Sequence, residues 1–263
     1  MTNRADLGVL SALLGVIWAA GVLLADGTAR AEQFRVENKV FVEDEKEPRV
    51  ESTTIFYAGV VYDYLKEPAE ITVFDKARGR FVLLDVARQV KTELTTEAVA
   101  AVTERLKEWA GAQPDPYLKF LADPKFTRPA EPDAGELTFA SPWVTYRVKP
   151  VDAGSAAIAR QYREFSDWYG MLNTRINPGA RPPFARMILN AELDSRRQLP
   201  REVQLTLRPK ASLLAKKIHI RSEHQLIRRL VESDRARVAE TDRFMGVFNP
   251  VDFDDYQKQI ENR

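Results

Sequence analysis

The stretch ITVFDKARGRFVLLDVARQVKTEL, residues 71–94, carries three strand-like runs separated by short polar breaks. Residues 71–74 and 81–84 are apolar, and the last run alternates between two kinds of side chain. Because successive side chains of a strand point to opposite faces, this alternation places every second residue on one side of a sheet. The sequence therefore predicts three consecutive antiparallel strands, and the side chains expected to face the helix-covered side are Val90, Thr92 and Leu94.

Similar runs lie immediately upstream. Residues 34–42, 53–57 and 60–65 have strand character, and Ala58-Gly59 between the last two is typical of a tight hairpin turn. About six strands are therefore expected within residues 33–94. The predicted fold class is α+β, with a curved, half-barrel-like antiparallel meander covered by several helices.

Helical periodicity follows the meander. Residues 95–111 carry a stripe that ends at Trp109, which we expect to pack in the core against the sheet. A second helix is expected at about residues 154–174. For residues 183–194 the pattern favours a helix over a strand.

Two further segments have less regular patterns. Residues 112–136 hold five prolines and one short amphipathic turn, and they form either a surface connector, which we favour, or a lid. Residues 202–208 alternate and are expected to pair with residues 215–221. Ser222 and Gln225 match the S-x-x-Q capping box, which predicts that the C-terminal part is helical from about residue 222.

The N-terminus has the pattern of an export signal. Residues 7–25 are 19 residues without a charge, preceded by Arg4 and followed by Ala29-Arg30-Ala31. A basic start, an apolar segment and an A-x-A site predict a signal peptide over residues 1–31 and a single exported domain over residues 32–263. The alternative is an uncleaved membrane anchor, because 19 apolar residues are also long enough to span a bilayer. Either way, the protein is expected in the periplasm or outside the cell.

Composition excludes several functional classes. The 39 basic and 38 acidic residues give a net charge of +1, which does not indicate a nucleic-acid partner. The absence of cysteine excludes disulfides, thiol nucleophiles and cysteine-held zinc or iron–sulfur centres. No catalytic or nucleotide-binding signature occurs, so we predict no cofactor and no catalytic residue, and the protein is more typical of a non-enzyme.

The two histidines are the most plausible metal ligands. His219 and His224 enclose an acidic residue in HIRSEH, but the spacing of five lies across a predicted strand-to-helix junction and no third ligand is evident. We therefore expect His219 to point outward from a strand, His224 to lie in the first turn of a helix, and neither to bind metal. The acidic group near residue 254 lacks the glycine of a calcium loop and is interpreted as helix capping.

The segment YAGVVYDYLKEPAEITVFDKARGRFVLLDVARQVKTEL, residues 57–94, resembles the core hairpins of the LolA-like superfamily of periplasmic lipoprotein carriers and lipid-binding half-barrels. The resemblance implies a curved sheet with an apolar concave face that shelters an acyl chain. The chain departs from that group in beginning with a strand and in its helix-rich C-terminal half, so no lipid-binding residue is transferred.

Three functions follow as hypotheses. The first is a non-enzymatic envelope protein that shelters a lipid or a lipoprotein acyl chain under the sheet. The second is a structural or interaction protein that docks through its C-terminal helices, and the third is an enzyme without a recognisable motif. Aromatic residues expected on the strands could line either a filled core or a ligand pocket, and these candidates are Phe56, Tyr62, Phe74, Phe81 and Tyr146.

The signal-peptide hypothesis predicts the N-terminus of the exported protein. N-terminal sequencing of protein recovered from the envelope should begin at or near Glu32. Recovery of the intact chain in the membrane fraction would instead support the anchor.

Overall fold

An open, curved sheet of eleven strands runs through the residues that the computed structural model describes, which are 31–127, 135–177, 179–208 and 217–261. The strands are β1 (Phe34–Val42), β2 (Val50–Tyr57), β3 (Val60–Leu65), β4 (Glu70–Asp75), β5 (Arg80–Asp85), β6 (Val90–Thr95), β7 (Leu137–Ala140), β8 (Val144–Asp152), β9 (Gln198–Leu207), β10 (Ile218–Ile227) and β11 (Asn249–Pro250). The helices are α1 (Thr96–Ala112), α2 (Pro116–Ala122), α3 (Ala156–Ile176), α4 (Phe184–Ser195), α5 (Glu232–Val247) and α6 (Phe253–Glu261). The predicted α+β fold class is confirmed.

The N-terminal meander has the predicted order. Strands β1 to β6 pair sequentially and antiparallel. At the β2–β3 turn Ala58 and Gly59 both have positive φ, 50° and 81°, as the favoured two-residue hairpin turn requires. Residues 71–94 form β4, β5 and β6, and the inward set Val90, Thr92 and Leu94 does face the helix-covered side. The period-two prediction is therefore confirmed.

Strand β10 joins this meander to the rest of the sheet. It pairs with β1 over eight residue pairs, from Arg35↔Ile227 to Val42↔Ile220, and with β9 on its other side. Strands β9, β8 and β7 then complete the sheet, whose order is β11-β6-β5-β4-β3-β2-β1-β10-β9-β8-β7. All neighbours are antiparallel except β11 and β6.

The predicted helix start at Ser222 is wrong. Residues 222–227 continue β10, and the first helix after them, α5, begins at Glu232. The capping-box pattern is a local signal, whereas the edge of β1 offers a full row of backbone hydrogen bonds that satisfies this segment as a strand. The helical C-terminal part therefore comprises α5 and α6 only among the described residues.

Helices cover both faces of the meander unequally. We call the side that carries Phe56, Phe74 and Phe81 the helical face, because α1, α3 and α6 pack there, and α2 and α4 cover the same side over β7 to β9. The opposite side is covered over β2 to β5 by Val238 of α5 and by Phe248, which directly follows that helix. Both faces of the central strands are consequently buried, which explains why residues 71–74 and 81–84 are apolar throughout.

Trp109 does not pack in the core, so that prediction is wrong. Its side chain is 54% exposed, whereas Val99, Thr103 and Ala110 form the buried side of α1. Helix α1 presents these smaller side chains inward, and the Thr103 hydroxyl lies 3.5 Å from the Thr174 hydroxyl of α3.

The remaining helix predictions are largely confirmed. Residues 184–195 form α4, and the amphipathic turn in the proline-rich segment is α2, whose Phe120 and Leu121 join the core under β7 to β9. Residues 128–134 of the lid hypothesis lie outside the described residues, as do residues 1–30 of the predicted signal peptide. None of the helices in the described ranges is both long enough and apolar enough to cross a bilayer.

The register of β6 predicts unequal costs for two neighbouring substitutions. Leu94→Ala should lower the free energy of unfolding by about 2–4 kcal/mol, because Leu94 is buried in the main core. Glu93→Ala, on the exposed side, removes only a partly exposed ion pair with Arg80 and should cost at most about 1 kcal/mol. Urea unfolding of the two variants measures the difference, and equal losses would contradict the register.

Candidate functional site

A row of polar side chains crosses the helical face of the sheet. Residue pairing places His224 of β10 beside Asn38 of β1, Asn38 beside Ser52 of β2, and Thr54 beside Asp63 of β3. Each of these residues alternates along its strand so that its side chain lies on the same face as apolar residues that contact the helices. We call the set His224, Asn38, Ser52, Thr54 and Asp63 the polar row. Buried polar groups are costly unless they are bonded, so a continuous row of them across four strands marks a candidate site.

The hydrogen bonds of the polar row have one direction. The Asn38 Nδ2 group donates to the Thr54 and Ser52 hydroxyls at 3.0 and 3.2 Å. Those hydroxyls donate in turn to Asp63 Oδ1, at 2.6 Å from Thr54 and 3.3 Å from Ser52. Every donor therefore points toward the carboxyl group of Asp63, which is the terminal acceptor.

The same direction fixes the tautomer of His224. Asn38 Oδ1, left as an acceptor, lies 2.8 Å from His224 Nδ1, so Nδ1 carries the proton. Nε2 is then an acceptor, and the Ser222 hydroxyl donates to it at 3.0 Å. The imidazole is satisfied on both nitrogens in its neutral form.

Burial governs the charge state of both ends of the row. It lowers the pKa of His224 to about 3, and the positive charge of Arg186 acts in the same direction. Burial raises the pKa of Asp63, against the effect of the hydroxyl donors Thr54, Ser52 and Tyr169. The ring of Tyr169 comes from α3, and burial together with the neighbouring Asp63 carboxyl raises the pKa of its hydroxyl. His224 is therefore uncharged at neutral pH, and the buried acid is held by three hydroxyl groups.

Helices α3 and α4 supply a second polar layer above the row. The Arg186 Nε atom donates to Asn190 Oδ1 at 3.0 Å, and Asn190 Nδ2 donates to Asp167 Oδ1 at 2.7 Å. Asp167 is also 3.5 Å from the guanidinium of Arg163. Arg186 in addition hydrogen-bonds the Tyr162 hydroxyl. This layer holds the Arg186 guanidinium between the sheet and the two helices. Its positive charge is close enough to His224 to disfavour protonation of the imidazole.

A cavity of about 260 Å³ lies where the Asp63 end of the row meets the helices. Its walls come from β3, β4 and β5 and from α3 and α6. Leu65, Leu83 and Ile176 contribute apolar surface, and Asp63 and Tyr169 contribute polar surface. Asp63 is only 5% exposed, so the cavity borders a carboxyl group that is otherwise shielded from water. The arrangement suits a ligand with an apolar part and a polar head.

The predicted ligand-lining aromatics fall into three environments. On the helical face Phe56 stacks on Phe34 with ring centroids 4.1 Å apart, and Phe74 stacks on Phe81 at 4.7 Å. These rings pack against Phe165 and Trp168 of α3, and the pocket beside Phe56 and Phe74 holds only about 40 Å³.

The other two candidates lie elsewhere. Tyr62 points to the α5 face, where its hydroxyl donates to Asp242 at 3.1 Å. Tyr146 lies in the core under β7 to β9, near Phe126. The structure therefore brings together three of the five, in a filled core, and none of the five is among the described residues that line the 260 Å³ cavity.

The two histidines occupy opposite faces of β10. His219 points outward as predicted, with its Nδ1 atom 3.2 Å from the Thr206 hydroxyl. His224 is not in a helix, which corrects that prediction, but faces the helices from the same strand. Their spacing is odd, so they cannot share a metal ion while both remain in this strand. The capping interpretation of the acidic group is confirmed at Asp252, whose carboxylate accepts from the Asp255 backbone at 2.8 Å.

Sequence reasoning missed the polar row, although one signal was present. Asp63 stands in VVYDYL, at an inward position of a strand whose other inward residues are apolar. An acidic residue in that place requires buried partners. The partners themselves, Asn38 and His224, are distant in sequence and become recognisable only through the strand order.

No protein-family model matches this chain, and no curated protein matches it with significant similarity. The function must therefore be inferred from the chemistry of the polar row and of the cavity.

The uncharged state of His224 predicts a pH dependence of stability. Below pH 6.5 the unfolded chain binds a proton on this residue, while the native state excludes it down to about pH 3. The free energy of unfolding should therefore fall on acidification across this window by about 1.4 kcal/mol per pH unit from this residue alone. His224→Gln should lack that contribution, as measured by urea unfolding between pH 6.5 and pH 4.

The control is His219→Gln, which changes the same residue type on the outward face of β10 and should keep the wild-type slope. Asp63 contributes with the opposite sign, because a raised native pKa costs stability as the pH rises, but it is common to all three proteins. Parallel slopes for His224→Gln and the wild type would contradict the buried, neutral imidazole.

Proposed function

We propose that this protein is a non-enzymatic, exported binding protein that shelters a small amphiphile, an acyl chain or the end of a lipid, in the cavity beside Asp63. The observation that carries the proposal is the cavity of about 260 Å³ between the sheet and helices α3 and α6. A fully packed face would leave no such space, since protein interiors are as dense as organic crystals.

The walls of the cavity favour an amphiphile over a purely polar ligand. Leu65, Leu83 and Ile176 offer apolar contact, and burying an apolar group there contributes about 25 cal/mol per Å² of surface removed from water. Asp63, Tyr169 and Asn173 add hydrogen-bonding groups on the same walls. A ligand that places its apolar part against the first group can direct a polar head toward the second.

The size of the cavity limits the ligand. Pockets for drug-sized molecules usually enclose about 300–1,000 Å³, so this one suits a short chain or the terminal part of a longer one. The aromatic core beside it is filled by Phe165 and Trp168, so the ligand would lie next to α6 rather than under the middle of α3.

A carrier role agrees with the resemblance of residues 57–94 to the LolA-like superfamily and with the predicted signal peptide. Both are supporting arguments drawn from the sequence. The proposed ligand lies over β3 to β5, beside α3 and α6, at residues that the resemblance alone did not indicate.

An enzyme is the second candidate, for one reason. A buried carboxyl group whose pKa is raised and which borders a cavity beside a tyrosine, as Asp63 does beside Tyr169, is an arrangement found in active sites. Conversion of a bound compound during incubation with purified protein would favour this candidate over the carrier.

The docking hypothesis has less support, since the large exposed apolar side chains of the described residues are spread over α1, α4, β2 and the two ends of α5.

Filling the cavity should abolish binding. Thr72 lines it from β4 and is half-buried, so Thr72→Trp places an indole in the space with limited disturbance of the core. The neutral apolar dye N-phenyl-1-naphthylamine, which brightens in apolar sites, should bind the wild type and bind Thr72→Trp at least about tenfold more weakly.

The matched control is Thr206→Trp, the same change at a threonine on the outward face of β9. It should bind the dye as the wild type does. Thermal melts of both variants show that they are folded, and native mass spectrometry of protein from its own host tests for a co-purified lipid. Equal dye binding by the two variants would place the ligand elsewhere.

A further inference from the structure

A second cleft, of about 380 Å³, opens in the sheet where β9 and β10 separate. Strand β10 pairs with β1 as far as Ile227, but its pairing with β9 stops at Glu223, which lies opposite Glu202. Residues 224–227 therefore have β1 on one side and the cleft on the other. The cleft lies at the His224 end of the polar row, whereas the Asp63 cavity lies at the other end.

A β-bulge at Arg201 explains the separation of the two strands. The register between β8 and β9 shifts between Lys149 and Pro150, whose partners are Glu202 and Pro200. Arg201 is therefore an extra residue of β9 without a partner in β8. A bulge bends its strand, ends the pairing and redirects the side chain of the extra residue. Strand β9 consequently leaves β10 at this point, and Arg201 lines the cleft that results.

Three carboxylates line the cleft, and each of them already has a cation. The pairs are Glu37 with Arg35 at 3.1 Å, Glu202 with Lys149 at 3.1 Å, and Glu223 with Arg221. The Arg35 guanidinium is shared with Asp234 of α5, at 2.6 Å. None of the three cations is among the described residues that line the cleft, so its carboxylates are compensated from outside.

The two cations that line the cleft have no such partner. Among the described side chains, none forms an ion pair or a hydrogen bond with the Lys39 ammonium group or the Arg201 guanidinium, and both residues are exposed. Across the neighbouring strands Lys39 lies opposite Glu223 and Glu51, and Glu51 pairs with Lys66 at 3.0 Å. Each acid next to Lys39 is therefore paired with another cation, and the cleft keeps two uncommitted positive charges.

The free edge of β10 adds hydrogen-bond donors. In an antiparallel sheet alternate residues direct their backbone N–H and C=O groups to each neighbouring strand. Half of the groups of residues 224–227 therefore point toward the side that β9 has left. Backbone N–H groups at the edge of a sheet form concavities that bind anions. The Arg186 guanidinium, whose charge acts on His224, adds to the positive potential behind this edge.

An arginine and a lysine together suit a phosphate group. The planar guanidinium binds two phosphate oxygens in parallel, and the ammonium group adds a point charge. A phosphate monoester carries between about 1.5 and 2 negative charges at neutral pH, which two cations match better than they match a carboxylate. The volume of the cleft also leaves room for an organic group beside the phosphate.

We propose that the cleft between β9 and β10 is a second binding site, for a compound with a phosphate monoester group that Arg201 and Lys39 hold. The inference goes beyond the proposed amphiphile function and does not depend on it, because none of the described residues that line this cleft lines the Asp63 cavity. A free organic phosphate and the head group of phosphatidic acid present the same chemistry to the site.

Two compounds of similar size with different anionic groups test the ligand class. Glycerol 2-phosphate and glycerate are titrated into the purified protein at pH 7.5 and followed by isothermal titration calorimetry. Both compounds are too polar to gain from the apolar wall of the Asp63 cavity. Glycerol 2-phosphate should bind at least about tenfold more tightly than glycerate. Equal affinities would overturn the phosphate inference.

Substitutions locate the site. Arg201→Gln and Lys39→Gln should each weaken the binding of glycerol 2-phosphate at least about fivefold. The matched controls are Arg160→Gln and Lys119→Gln, which remove exposed cations from α3 and α2 and should leave the affinity within about twofold. Unchanged affinity in both cleft variants would overturn the proposal.

The variant Thr72→Trp separates this site from the Asp63 cavity. It should lose the dye N-phenyl-1-naphthylamine but bind glycerol 2-phosphate as the wild type does, and loss of both would place the phosphate in the Asp63 cavity and overturn the second site. A wild type that binds glycerol 2-phosphate but no dye would overturn the amphiphile function alone.

Vesicles distinguish the two sources of the phosphate group. Phosphatidylcholine vesicles with and without phosphatidic acid are sedimented with the wild type and with Arg201→Gln. Sedimentation that requires both phosphatidic acid and Arg201 supports the site with a lipid head group as its ligand. Binding of glycerol 2-phosphate without such sedimentation supports it with a free organic phosphate.

Discussion

The fold is held together by the pairing of β1 with β10. It joins strands from opposite ends of the chain, and it converts a six-stranded meander and a C-terminal group of strands into one sheet. Without it, β1 would be an exposed edge with a row of unpaired backbone groups. The same pairing brings His224 beside Asn38, a contact between residues 186 positions apart, and so creates the polar row.

The polar row is stable because each member finds a partner. The Asn38 amide links the two ends of the row. Its oxygen accepts from the neutral imidazole of His224, and its NH₂ group donates to the Thr54 hydroxyl, which donates to Asp63. In the low dielectric of the interior such a chain is strong when complete and costly when broken. A sheet needs no such chain to form a core, and the row ends where the cavity begins, which connects the internal hydrogen bonding to the proposed ligand site.

The helical face has two regions with different properties. Over Phe56, Phe74 and Phe81 the aromatic side chains of α3 fill the space, and this region contributes stability. Toward the C-terminal end of α3, where α6 approaches, the side chains of the two helices leave the cavity open. Binding is therefore proposed at the end of the helix layer, where packing is incomplete, and not among the aromatic residues that the sequence suggested.

Spacing and turn chemistry are enough to predict the local structure. They give the strand periodicity in residues 71–94, the turn at Ala58, the helices α1 to α4 and the α+β class. The remaining features depend on contacts between segments that are distant in the sequence. Residues 222–227 form a strand because β1 supplies their hydrogen bonds, and Trp109 is exposed because α1 packs through smaller side chains. Asp63 is recognisable as a site residue only from the strand order, because its partners lie on other strands. No local sequence pattern specifies which strand edges pair.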